Sequence, residues 1–293
     1  MSRRDTYVAG DITREEFIEL VMGEMADFSR EWSLNASLLE RAGVYSEIAD
    51  FIGHVDGDAA VELGCGSGEL MRAVRPWNPD MALIGMDMNM HLLSLAESLS
   101  GEKARKYVSF DFTSHPERGI VMQPARSPDT PLIGKRETYL FLDDARSMGP
   151  TSRAMRDSGA VPALFTLVFP GGGTHLELEH GWYDPDDRMS ARQATDTMYV
   201  SAMKKAGSMM PPGGQLVFGE AFRKGSGRVA EVFERIDGLY CGSIYRVKDT
   251  TELSSDRMQD YVRAYGNRAG EFSRVMPSFR EGEYFVLVKL ERK

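Results

Sequence analysis

Apolar positions recur along this chain in two alternating rhythms. Near the N-terminus Phe17, Leu20, Val21, Met25 and Phe28 follow one another at helical spacing behind Thr13-Arg-Glu-Glu16, a capping-box pattern that predicts where the helix starts. Leu38, Leu39, Ala42, Tyr45, Ile48, Ala49 and Ile52 form a second stripe that ends near Gly53 and predicts a second helix. Beyond residue 55 short apolar runs take over, at Ala59 to Leu63, Met81 to Asp87, Thr138 to Ala145, Ala163 to Pro170 and Gln215 to Phe218. Helical spacing between them, at about Met90 to Ser100, Arg153 to Gly159, Asp196 to Met209 and Arg228 to Ile236, predicts an α/β order with crossover helices. Glu283 to Leu290 alternates strongly and reads as a strand.

The first strand runs into Glu62-Leu-Gly-Cys-Gly-Ser-Gly-Glu69. Gly64, Gly66 and Gly68 can take positive φ and carry no Cβ, which lets the backbone turn sharply and approach a ligand. A dinucleotide fingerprint needs its third glycine at the sixth position, and here that position is Glu69, an acid beside any pyrophosphate. NAD and FAD are therefore disfavoured. The Gly-x-Gly-x-Gly form behind Val-Glu-Leu resembles motif I of the class I S-adenosylmethionine-dependent methyltransferases, whose cofactor has no phosphate and carries a sulfonium and an ammonium.

A second acid fits that resemblance. Asp87 lies 87 − 64 = 23 residues after the first glycine, at the end of the second strand, where a carboxylate can grip a ribose diol. It is also placed to cap the helix that begins near Met90. In the family the third strand ends in an acid that accepts from the adenine amino group, and both Asp111 (in Lys106 to Thr113) and Asp144 are candidates. Asp144 is favoured because the next strand follows about 20 residues on, which leaves residues 106–136 as a hairpin-like insertion. The resemblance thus implies cofactor contacts at Glu62, Gly64, Cys65, Gly66, Gly68, Asp87, Met88, Asp144, Ala145 and Phe169. It implies a doubly wound, mostly parallel, seven-stranded sheet with a C-terminal antiparallel strand, in residues 56–293, under an N-terminal helical cap of residues 1–55.

The substrate edge is expected after strand four, at Thr174 to Asp187. His175 and His180 are the candidate general bases, because an imidazole titrating near neutrality can take a proton from a nucleophile. His175, Glu177 and Glu179 share a face if that segment is extended, but the set has no His-x-x-x-His spacing and no metal is expected. No Asp/Asn-Pro-Pro-aromatic tetrad follows the strand, which argues against methylation of DNA bases.

Composition sets the partners. The chain has 293 residues and a formal charge of −9, which opposes the counterion release that drives nucleic-acid binding and favours a small-molecule or protein acceptor. No apolar run is long enough for a membrane helix and no signal peptide is visible, so the expected location is the cytoplasm. Two cysteines give no disulfide framework, and Cys65 reads as a small space-filler. Methyl transfer is the expected activity. An RNA methyltransferase and a non-catalytic cofactor-binding regulatory or scaffold protein remain as alternatives, and the oligomeric state is open.

Overall fold

The computed structural model describes residues 13–101, 104–115, 119–124, 131–168, 188–223, 242–273 and 275–293. Helix α1 spans Arg14–Arg41, and both bonds of its capping box form, Glu16 N to Thr13 Oγ1 at 3.2 Å and Thr13 N to Glu16 Oε2 at 2.7 Å. The second apolar stripe is not one helix. Leu38 and Leu39 end α1, Gly43 turns the chain at φ 75°, and α2 (Val44–Ile52) carries the rest.

The chain then alternates strand and helix through β1 (Ala59–Leu63), α3 (Glu69–Val74), β2 (Ala82–Asp87) and α4 (Met90–Ser100). Strands β3 (Ala104–Tyr107), β4 (Phe110–His115) and β5 (Gly119–Pro124) precede β6 (Thr138–Leu142), α5 (Gly149–Ser158) and β7 (Pro162–Leu167). Helix α6 (Arg188–Met209), β8 (Gln215–Arg223), β9 (Tyr245–Glu252), α7 (Ser255–Asn267) and β10 (Glu283–Arg292) complete the described order. The expected helix at Arg228 to Ile236 lies outside the described residues, and so does Cys241.

The main sheet has the order β3-β6-β2-β1-β7-β8-β10-β9, and β10 alone runs against the others. This is the Rossmann-like, doubly wound fold that the class I resemblance implies, with the switch in strand order between β1 and β7. It has eight strands rather than seven. The extra one is β3, which pairs with β6 and stacks Tyr107 on Phe141 at 5.3 Å between ring centroids. The run Lys106 to Thr113 is consequently two strands, β3 in the sheet and β4 in a separate hairpin with β5, where Asp111 pairs opposite Gln123. Asp111 therefore stands outside the main sheet, and β6 holds the third-strand place.

Strand alternation splits the core. Ala59, Val61 and Leu63 of β1 belong to one core cluster with Met155 of α5 and Met203 of α6, whereas Ala60 belongs to the other, with Leu39, Ile48, Leu70, Leu93 and Tyr261 from α1, α2, α3, α4 and α7. The N-terminal helices are thus built into one face of the sheet. No described helix is long and apolar enough to cross a membrane.

Candidate functional site

At the carboxyl end of β1 the chain makes three left-handed steps, with φ of 72°, 53° and 81° at Gly64, Gly66 and Gly68. These angles are why glycines stand there. The Gly64 and Cys65 amides donate to Met86 O at 2.8 and 2.9 Å, which moors the loop to β2. Cys65 is buried and its thiol is pushed well up, first by burial and then by Asp87. Its sulfur sits 2.8 Å from where a Cβ on Gly85 would be, which fits a packing role.

Three acids crowd this loop. Glu62 is buried with Oε2 unpartnered among the described residues, and burial, then Glu69, then Asp87 push it well above the carboxylate range. Glu69, also buried and raised by burial, accepts from Ser67 Oγ at 2.7 Å and faces Arg72 Nη2 at 3.5 Å. The acid that disfavours a dinucleotide thus occupies the first turn of α3. Burial also raises Asp87, which accepts from Gly66 N at 2.9 Å through Oδ2 and from Asn89 N at 2.8 Å through Oδ1. It does not cap α4. Asn89 does, accepting from the His91 and Leu92 amides. The Met88 backbone N–H also donates to the Asp87 carboxylate, and a carboxylate has about four acceptor sites, so the acceptor capacity of Asp87 is not exhausted. Met88, partly buried, lies between these two residues.

At the end of β6 two adjacent acids have separate tasks. Asp143 is 1% exposed and accepts from the Asp144, Gly149 and Thr151 amides at 2.9, 3.0 and 2.9 Å, fixing the start of α5. Burial pushes it up to about 6. Asp144 points outward and pairs with Arg146, whose Nε is 2.9 Å from both carboxylate oxygens and whose Nη2 is 2.6 Å from Oδ2. Ala145 packs partly buried against the core beneath. Phe169, His175 and His180, with Glu177 and Glu179, lie outside the described residues. Among the described residues no group of three His, Cys, Asp or Glu is placed to hold a metal ion.

The residues that sequence reasoning missed come from α1. Trp32 lies against the loop, its Nε1 2.6 Å from the position of a Cβ on Gly66, and it stacks on Phe28 at 6.4 Å and 4°. One turn earlier Ser29 Oγ reaches Asn89 Oδ1 at 2.9 Å, and Asn89 Nδ2 donates to Met25 O at 3.1 Å. On its other flank α1 meets the C-terminal segment. Glu31 accepts from the Ser273 and Val275 amides, both at 3.0 Å, and Asn35 Nδ2 donates to Ser278 Oγ at 3.0 Å.

No protein-family model matches the chain. Solved structures similar to it include TrmN from Thermus thermophilus, at 13% identity and TM-score 0.44 over 86% of this chain. This chain spans about half of that one, 48% of its length. N-methyltransferase NodS from Bradyrhizobium japonicum WM9, in complex with S-adenosyl-L-homocysteine, shows 13% identity and TM-score 0.40 over 86% of each chain. The (4+2)-cyclase SpnF shows 10% identity and TM-score 0.45 over 84% of this chain and 80% of that one. The fold assignment rests on strand order and direction rather than on these likenesses.

Proposed function

We propose that the chain binds S-adenosylmethionine at the carboxyl ends of β1, β2 and β6 and transfers its methyl group. The observation that carries this reading is the crowding of Glu62, Glu69 and Asp87 at the glycine loop, where burial and, at Glu62, the neighbouring acids oppose ionisation. Such a site rejects a pyrophosphate and is relieved by a cation. The donor set fits the cofactor. Asp87 has acceptor sites left for ribose hydroxyls, Glu62 offers an unpartnered oxygen for an ammonium, and Asp144 offers a carboxylate for the adenine amino group.

When bound, the cofactor supplies a methyl group already activated on a sulfonium. The protein then has to orient the acceptor in line and exclude water, with a base only where the acceptor must lose a proton. His175 and His180 are the proposed bases. The acceptor is proposed to be a small molecule or a protein side chain, in keeping with a net charge of −9.

Calorimetry with S-adenosylmethionine, S-adenosylhomocysteine and NAD, followed by transfer of a labelled methyl group into fractionated cell extract, tests this. Binding of the first two without NAD, and label in a small-molecule or protein fraction, is the expected result. Label in RNA would overturn the acceptor, binding with no transfer would overturn the enzyme, and no binding would overturn the whole reading.

A further inference from the structure

We infer that Asn89 is a positioning residue, which holds the Asp87 carboxylate in place for its ligand and ties it to helix α1. The inference rests on the cofactor site proposed above and adds a residue to it.

Asn89 is 3% exposed and every polar group it has is used. Its backbone N–H donates to Asp87 Oδ1 at 2.8 Å. Its side-chain oxygen accepts from the His91 and Leu92 amides at 3.0 and 3.3 Å, which fixes the amide orientation and starts α4. Its Nδ2 donates to Met25 O at 3.1 Å, 64 residues away in sequence. Ser29 Oγ lies 2.6 Å from Met25 O and 2.9 Å from Asn89 Oδ1, and its one proton can be given to either oxygen. One residue therefore joins three elements, β2 through its backbone and α1 and α4 through its side chain. If α1 lifts, Asn89 loses its bond to Met25 O and keeps only the α4 amides to hold the N–H that orients Asp87.

Asn89→Ser separates this role from ordinary capping, since serine still caps α4 but is too short to reach Met25. In this variant the segment 25–32 should exchange amide hydrogens faster, and S-adenosylhomocysteine should bind about three- to tenfold more weakly, the loss of one neutral hydrogen bond. The diagnostic result is the double-mutant cycle. In an Asp87→Ala background Asn89→Ser should add nothing, because its effect passes through Asp87. A loss of the same size in both backgrounds, or a dissociation constant unchanged by Asn89→Ser in a wild-type chain that binds, would overturn the inference alone. A wild-type chain that does not bind overturns the proposed function and this inference with it.

Discussion

The indole of Trp32 fills the space that a side chain on Gly66 would need, with Nε1 2.6 Å from the Cβ position. Gly66 is therefore demanded twice, by its φ of 53° and by the helix packed on it. Glu40 at the far end of α1 lies 3.7 Å from Nη2 of Arg72 in α3, whose Nη1 donates to Ser67 O of the loop at 2.8 Å. The glycine loop is thus shaped by α1 as well as by whatever it binds.

The two demands are separable. Gly66→Ala should lower stability by about 2–4 kcal/mol, ~1–3 for overpacking a well-filled site and ~1 for backbone strain. In a Trp32→Gly background the steric part disappears and about 1 kcal/mol of backbone strain remains. Urea unfolding of the four proteins measures both. Equal losses in the two backgrounds would show that Trp32 does not exclude the side chain.

Asp87→Ala removes the acceptor from the Gly66 and Asn89 amides as well as from the proposed ribose. Affinity for S-adenosylhomocysteine should fall by about 1.5–3 kcal/mol, the range for hydrogen bonds to a charged group. Asp87→Asn, which keeps one carbonyl acceptor, should lie between that variant and the wild type. Calorimetry on folded protein decides, and an unchanged dissociation constant in Asp87→Ala would remove the ribose assignment.

Stability should fall, not rise, as the pH is raised from about 4.5 to 7. Glu62, Glu69, Asp87 and Asp143 all have folded pKa values above their ordinary ones, so in this window the folded state holds more protons than the unfolded state. Asp143 alone, moved from 3.8 to about 6, accounts for about 2 kcal/mol of the fall above pH 4.5 at about 1.36 kcal/mol per unit. The lowered carboxylates, Glu16, Glu271 and Glu291, act only below their ordinary value of 4.5. Urea unfolding across this range should show the decline. Glu62→Gln should flatten it while weakening S-adenosylmethionine binding, whereas stability that climbs with pH would contradict the buried-acid account.

What the sequence made legible was local. The capping box at Thr13, the glycine loop and helix Met90–Ser100 are each written in a few adjacent residues. Gly43 escaped notice because the stripe from Leu38 to Ile52 keeps its period across it. Strand β3 escaped because Ala-Arg-Lys-Tyr is too short and polar to stand out, and it is recognisable only by its pairing with β6. Helix α7 did leave a trace, Met258, Tyr261, Val262 and Tyr265 at helical spacing. Asp87 stands at a strand-to-helix junction where an acid commonly caps, yet Asn89, beside the helix, takes that task. The place of Trp32 had no local signature, since its contact with Gly66 joins positions 34 residues apart.

Asp144→Asn should weaken S-adenosylhomocysteine binding by about 1 kcal/mol, since an amide keeps one acceptor but gives up the charge. The Arg146 pair makes the effect readable. Arg146 already occupies both carboxylate oxygens, so Arg146→Ala, which frees them, should leave affinity equal or stronger. Asp111→Asn, in the separate hairpin, should leave it unchanged. Calorimetry on the three variants tests the adenine role, and a loss confined to Asp111→Asn would transfer that role to the hairpin.

The proposed bases follow β7, which ends at Leu167 on the carboxyl side of the sheet, next to β1 across the switch point. His175, the first of them, follows that strand by 175 − 167 = 8 residues in sequence. A general base contributes typically ~10²- to 10⁴-fold, so His175→Ala should lower turnover on the identified acceptor by that factor and leave S-adenosylhomocysteine affinity nearly unchanged. His180→Ala is the comparison. Loss in that variant alone would move the base five residues along the loop, and full turnover in both would leave the segment with acceptor positioning and no proton transfer.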